Sequence, residues 1–285
     1  MWNIVNIETL NICNLRCKHC PYPFMTRKKE IMPLDLFKKV INDSRDIKIK
    51  VANLNIYGEP LLDNLLFERI DYCKSKGMEV QFTSNGTLLD SDMAKKIISH
   101  KVDKIYFSFD SADKETYEKI RIGASYQEVK YNIMRLGILD NRPKIIIVAV
   151  LQDLNQEEKL KIKTMWKGIA DAVHCWPMDN RGLLGGKEPA SGSWPCYRIF
   201  KEVNILSNGL VSLCCLDYDG KEIIGDSKTS SLREIWNQGG FVSLRRLHLR
   251  GKRSLIKLCK GCELPQREKL SLMREICHIL DMPLS

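Results

Sequence analysis

Leu10-Asn11-Ile12-Cys13-Asn14-Leu15-Arg16-Cys17-Lys18-His19-Cys20-Pro21 is the stretch from which the rest of the chain is read. It sets three thiols at the spacing C-x3-C-x2-C, directly after the strand-like run Val5 to Leu10. A structural zinc site takes four protein ligands, and an iron-sulfur cluster held for electron storage takes four cysteines. Three thiolates in one loop therefore leave an iron open to a small molecule. His19 would complete a zinc site instead, but it is crowded between two ligands, where tetrahedral geometry is poor.

Outward from this loop, strand-like and helix-like segments alternate through the first two-thirds of the chain, the pattern of a parallel sheet with crossover helices. The expected strands are Val5 to Leu10, Val51 to Tyr57, Met78 to Phe82, Lys104 to Phe109, Ile145 to Leu151 and Ala172 to Trp176. Helices are expected after Pro33 and over Asp63 to Ser75, Asp90 to Ser99, Tyr126 to Leu139 and Gln156 to Gly168, from apolar positions recurring at helical spacing. Six such units would make an α/β fold with a partial (β/α) barrel, whose site would lie at the C-terminal ends of the strands. Residues 181–195, rich in Gly, Pro and Ser, read as a linker or a loop across the barrel mouth.

No apolar run reaches the length of a membrane span, and Met1 to Leu10 lacks the apolar region of a signal peptide. A cytoplasmic protein with no membrane association is expected. Eleven cysteines in that compartment argue for metal ligation over disulfides.

The C-x3-C-x2-C loop resembles the signature of the radical S-adenosylmethionine (SAM) enzymes, and the resemblance implies that the barrel is a partial (β/α)6 TIM-like barrel over residues 1–180. The resemblance implies that Cys13, Cys17 and Cys20 hold a [4Fe-4S] cluster whose fourth iron is chelated by the amino and carboxylate groups of SAM. One electron then cleaves SAM to a 5'-deoxyadenosyl radical that abstracts hydrogen. Further matches fall at strand ends. Tyr57-Gly58-Glu59-Pro60 is similar to the family's Gly-Gly-Glu-Pro motif, whose backbone meets the SAM amino group; Tyr57 replaces a glycine. Ser108 and Asp110, on one face of their strand, would face the ribose and methionine of SAM, and Arg121 would pair with its carboxylate. His19 and Tyr22 occupy the places beside adenine, and Ser84, Asn85 and Met178 are further candidate SAM contacts, although Asn85-Gly86 also reads as a plain turn.

Beyond the linker come Cys196, then Gly209-x4-Cys214, then Cys259-x2-Cys262. Four thiols fit either a closed iron-sulfur cluster or structural zinc. Glu202 to Leu206 and Leu210 to Leu213 read as a hairpin turning at Asn208-Gly209, followed by a helix at Leu232 to Trp236. This layout resembles the shortened SPASM domain called twitch over residues 196–265, which implies one auxiliary [4Fe-4S] cluster; a helix over 266–285 would close the chain. Cys215 competes with Cys214 for the fourth ligand, and the glycine spacing favours Cys214. With seven thiolates on two clusters the formal charge of +10 falls to about +7. Anionic partners remain favoured.

By cysteine layout the nearest branch is the aminocyclitol dehydrogenases, with sulfatase-maturating and peptide-modifying enzymes further away. The expected function is therefore oxidation of a carbohydrate-type alcohol, with the auxiliary cluster as electron relay and a flavodoxin or ferredoxin as reductant. A peptide maturase is the alternative, although strand 1 starts so near Met1 that no leader-binding segment is expected before it. Cys175, read as facing the barrel mouth, offers a third version, a radical epimerase in which its thiol returns a hydrogen atom. Asp179 and Arg181 at the same rim are candidates to orient a polar substrate. The basic run Arg245, Arg246, His248, Arg250, Lys252, Arg253, Lys257 and Lys260 lacks interleaved aromatics, so a solvated face is read there and nucleic acid is not an expected partner.

Overall fold

The computed structural model describes residues 4–178, 195–260 and 262. The expected linker 181–195, apart from Pro195, and the expected helix 266–285 lie outside the described residues, as do Asp179 and Arg181.

Six strands come first: β1 (Ile4–Ile7), β2 (Val51–Asn53), β3 (Glu79–Ser84), β4 (Lys104–Ser108), β5 (Lys144–Leu151) and β6 (Ala172–Pro177). Helices α1 (Leu34–Asp46), α2 (Leu66–Ser75) and α3 (Ser91–Ser99) fill the first three crossovers. The fourth holds α4 (Lys114–Ile120) and α5 (Tyr126–Gly137), and the fifth holds α6 (Lys159–Met165). Local chemistry sets the helix starts: Asp90 accepts from the Met93 backbone N–H at 2.7 Å, Asp113 from Thr116 at 2.9 Å and Ser125 from Glu128 at 3.4 Å. The short α4 has no counterpart among the expected helices, because its 7 residues give too few turns for a periodicity to show. Strand β2 stops at Asn53 rather than Tyr57. Past that point the Asn55 side chain, not its backbone, accepts from the Thr83 N–H at 2.9 Å.

All six strands run parallel in the order β6-β5-β4-β3-β2-β1. Adding each strand on the same side rolls a sheet toward a barrel and keeps every crossover helix on one face, whereas a doubly wound sheet reverses direction. The helix-side face is apolar: Val5, Ala52, Phe82, Phe107, Ile147 and Ala149 are fully buried in one continuous core. The opposite face carries Asn6, Asn53, Gln81, Thr83, Tyr106 and Ser108. A closed barrel would fill that space with branched apolar side chains. Here it is largely polar, apart from Ile146, Val148 and Val150 of β5, and amides bridge it: Asn53 Nδ2 donates to Asn6 Oδ1 at 2.9 Å, and Asn6 Nδ2 donates to Asn204 Oδ1 at 2.9 Å.

The second region is built from α7 (Arg198–Lys201), β7 (Glu202–Ile205), β8 (Leu210–Ser212), β9 (Ile223–Asp226), α8 (Leu232–Asn237) and α9 (Gly239–Leu249). The hairpin β7-β8 turns at Asn208-Gly209, and a reciprocal pair of bonds between Ser231 and Glu234 starts α8. Strand β7 pairs in parallel with β1, so one nine-stranded sheet passes through both regions. A buried knot fixes this junction. Arg27 makes two 2.8 Å bonds to Glu8, its Nε donates to the Tyr218 carbonyl at 2.7 Å, and Glu8 also accepts from the Ser207 N–H at 3.1 Å. Among the described residues no helix is long and apolar enough to cross a membrane.

Candidate functional site

A cavity of about 300 Å³ opens at the C-terminal ends of β1 to β5, lined among others by Cys13, Cys17, Cys20, Gly58, Ser84 and Arg121. The cysteine loop is held by backbone bonds from Arg16 to Ile122 (3.0 Å), Lys18 to Ile120 (2.9 Å) and Glu59 to Ile12 (2.8 Å). Gly58 has φ +95°, and a Cβ there would come within 2.6 Å of the Leu10 carbonyl oxygen. The glycine is thus required first by the chain that leads into the cysteine loop, before any ligand is considered.

Glu59 lines the cavity, yet its carboxylate is occupied. It accepts from Ser84 Oγ at 2.8 Å, from the Asn85 N–H at 2.7 Å and from the Leu61 N–H at 3.1 Å. Burial nonetheless raises its pKa to about 7, against the pull of those donors and of Arg121. Asn85 closes a turn, with Oδ1 accepting from the Thr87 N–H at 2.9 Å, and also lines the cavity.

Ser108 lines the cavity, but Asp110 stands behind the lining, fully buried. Asp110 Oδ1 accepts from the Val150 N–H at 2.7 Å, and Oδ2 accepts from Arg121 Nε at 2.6 Å. Phe107 and Phe109 both pack in the helix-side core, so Ser108 and Asp110 share the opposite face, with Asp110 one layer behind the lining. Arg121 also donates from Nη1 to Cys17 Sγ at 3.6 Å. His19 and Tyr22 both line the cavity; Tyr22 Oη accepts from the Cys13 N–H at 3.0 Å and from Lys29 Nζ at 2.7 Å. Tyr57 lines the same wall and meets Tyr218 of the second region edge-on, ring centres 6.4 Å apart. Met178 is 46% exposed and is not among the lining residues.

Cys175 requires a correction. It pairs with Ala149, and its side chain packs against the helix-side core, while Val148 and Val150 on the opposite face line the cavity. The residues of β6 that share that cavity face are His174, paired with Val148, and Trp176, paired with Val150. Their rings lie 5.9 Å apart, and Trp176 is 58% exposed. The reading that put Cys175 at the mouth was one residue out of register, and a shift of one reverses every side chain in a strand.

A second, smaller cavity of about 30 Å³ is lined by Cys196, Cys214, Cys259 and Cys262, together with Arg198, His248 and Arg253. Cys215 is not part of this lining; its sulfur accepts from Arg198 Nη1 at 3.3 Å. Three members of the expected solvated basic run are instead structural. Arg253 is buried and donates to the Cys259 carbonyl at 2.7 Å, His248 is buried, and Arg245 lies over the rings of Trp236 (3.6 Å) and Phe241 (4.0 Å). Apolar period alone could not show this, since the partners are 4 to 52 residues away and are not read from the run itself.

Both donor sets fit thiolate-bound clusters. None of the ten described cysteines is in a disulfide. Burial pushes the Cys13 thiol up to about 11 and the Cys196 and Cys259 thiols up to about 12, so a cationic group is needed to hold them as thiolates. Donors already point at the sulfurs: the Leu15 N–H to Cys13 at 3.5 Å, Arg121 to Cys17, and the Leu216 N–H to Cys214 at 3.5 Å. Among the described residues no three His, Cys, Asp or Glu side chains are grouped as they would be on a single metal ion.

A partial barrel with a three-thiol loop at its mouth, continued by a hairpin region with a four-thiol cavity, defines a class of cluster-bearing protein. Residues 7–162, more than half of the chain, match the radical SAM superfamily, and the chain belongs to it. Residues 196–263 match an iron-sulfur cluster-binding domain. SAM, a SAM-binding [4Fe-4S] cluster and auxiliary iron-sulfur ligation are therefore its cofactor chemistry. A GTP 3',8-cyclase of Desulforamulus reducens is 29% identical over 173 residues, 59% of this chain and 52% of its own. The chain spans about half the length of the curated relatives it matches. Among solved structures, BtrN in complex with AdoMet and 2-DOIA superposes with a TM-score of 0.66 and 18% identity, over 92% of this chain and 93% of its own. Streptococcus suis SuiB bound to precursor peptide SuiA superposes with 0.72 and 12% identity, over 95% and 74%. These two likenesses show the shared fold.

Proposed function

We propose that this chain oxidises a carbohydrate-type alcohol, taking a hydrogen atom from a carbinol carbon and releasing a ketone. The observation that carries this reading is the inner face of the sheet. From Asn55 and Thr83 in the wall of the first cavity, polar side chains continue through Asn53, Asn6 and Glu202 to Arg198 in the wall of the second. Amides on that path suit hydroxyl groups, and the exposed rings of His174 and Trp176 at its edge suit the C–H face of a sugar-like ring.

SAM and the reduced first cluster, when bound, supply the 5'-deoxyadenosyl radical. The remaining roles belong to side chains. Cys13, Cys17 and Cys20 would hold the first cluster and leave one iron for SAM. Gly58, Ser84, Asn85, Ser108 and Arg121 would shape the SAM cavity, with Glu59 and Asp110 holding that wall in place and His19 and Tyr22 beside the adenine. Cys196, Cys214, Cys259 and Cys262 would close the auxiliary cluster with four thiolates, which suits accepting the second electron better than binding substrate. A flavodoxin or ferredoxin would serve as the reductant.

A peptide substrate is the competing reading, favoured by the likeness to SuiB bound to its precursor peptide. Anaerobic incubation with SAM, a reductant and candidate sugars decides between them. One ketone per deoxyadenosine is the expected result. A product at unchanged oxidation level would sink the dehydrogenase, and a modified peptide with no sugar turnover would establish the competitor.

A further inference from the structure

His248 ends helix α9 with its ring in the wall of the second cysteine cavity and only 1% of its surface exposed. Its Nδ1 lies 3.1 Å from the backbone nitrogen of Cys196. A backbone N–H can only donate, so Nδ1 is the acceptor and the hydrogen of the neutral ring sits on Nε2. That Nε2 is buried and has no hydrogen-bond partner among the described residues. A buried N–H left without an acceptor loses its hydration with nothing in return. Native structures rarely keep such a group unless something outside the polypeptide satisfies it.

The lining supplies no ready acceptor. Apart from the four thiols it consists of Arg198, Arg253 and aliphatic side chains, and Arg198 Nε is a second buried donor without a partner among the described residues. Two unsatisfied N–H groups and four thiols around one small cavity describe a receptacle for an electron-rich body whose surface accepts hydrogen bonds. The sulfides and thiolates of an iron-sulfur cluster are such a surface, and hydrogen bonds to them set the reduction potential.

We infer that His248 donates an Nε2–H hydrogen bond to a sulfur of the auxiliary cluster and, as a positioning residue outside the ligand set, makes that cluster easier to reduce. Its other nitrogen holds Cys196 in place through the backbone, so one ring both orders a ligand and tunes the cluster. The inference rests on cluster ligation by the four thiols but not on the identity of the substrate.

The test uses the full-length chain carrying Cys13→Ala, Cys17→Ala and Cys20→Ala, so that only the auxiliary cluster contributes and His19 reports nothing. With 15N-labelled histidine and the cluster reduced, pulsed electron paramagnetic resonance should show a weak 15N coupling that disappears in His248→Phe. At a fixed applied potential the reduced-to-oxidised ratio should fall about fivefold to tenfold in that variant, the worth of one such bond, with His248→Gln in between. An absent coupling in the labelled protein overturns the inference without needing any variant to fold. A coupling large enough for a direct iron-nitrogen bond overturns it as well, by making His248 a ligand, and so does a site filled with zinc. Failure of the sugar assay, by contrast, would leave both readouts as they are.

Discussion

The two cysteine cavities differ tenfold in free volume, about 300 Å³ against about 30 Å³. The larger is walled by the ends of five strands and offers three thiols together with amide, hydroxyl and guanidinium groups. The smaller offers four thiols among Ile199, Leu213, Leu216 and Leu258, with Arg198, His248 and Arg253 as its other polar groups. Ligand count and volume therefore agree: where the protein withholds a fourth thiol it also leaves room for an organic ligand, and where it supplies one it closes the space. Under the proposed function, that contrast separates a reactive centre from a relay.

Removing thiols tests the contrast most severely. Cys13→Ala, Cys17→Ala or Cys20→Ala should each abolish SAM cleavage, a fall of at least about a thousandfold in deoxyadenosine formed under reductant, since nothing else holds the iron. Cys214→Ala should leave substrate-independent cleavage within about threefold while ketone formation stops. Iron analysis should fall in every case from about eight per chain to about four. If Cys214→Ala also silenced SAM cleavage, the two cavities would not be functionally separable.

How far they are separable structurally depends on the junction. Arg27 and Glu8 form a bidentate pair with Glu8 wholly buried, and through Tyr218 and Ser207 that pair ties the cysteine-loop segment to the second region. Arg27→Met would leave a buried carboxylate without its partner, and urea unfolding should show a loss of about 3–5 kcal/mol. Adding Glu8→Gln should return part of it. Separate unfolding transitions in the wild-type protein would instead show that the nine-stranded sheet is two cooperative units.

Much of this contrast was legible before any coordinates. The cysteine spacings are local, and a ligand count needs no tertiary information. The order of strands followed from alternation, because a one-way βα winding has few topologies open to it. What stayed hidden depends on registers between distant segments. The pairing of β7 with β1 joins residues nearly 200 apart, and the side of the sheet that Cys175 occupies is set by its neighbour Ala149 rather than by its own sequence. For the same reason His174 and Trp176 passed unnoticed. An alternation reading carried one residue further would have found them.

A smaller effect sharpens the comparison at the level of single ligands. Each cavity has an arginine, buried at Arg121 and partly buried at Arg198, that bridges a carboxylate and a thiol. Arg121 binds Asp110 at 2.6 Å and Cys17 at 3.6 Å; Arg198 binds Glu202 at 3.4 Å and Cys215 at 3.3 Å. The sulfur that Arg121 reaches lines its cavity, and the sulfur that Arg198 reaches does not. A positive charge and an N–H on a ligand sulfur favour the reduced, more negative cluster. Arg121→Gln should therefore make the first cluster harder to reduce and slow SAM cleavage by about 10–100-fold. Arg198→Gln should shift the auxiliary cluster less, because the Nη1 of Arg198 is committed to Cys215, a thiol outside the lining. Potentials measured by redox titration check both. Should Arg198→Gln move its cluster as far as Arg121→Gln moves the other, the guanidinium would be in direct contact with the cluster, either through its buried Nε or with Cys215 as the ligand in place of Cys214.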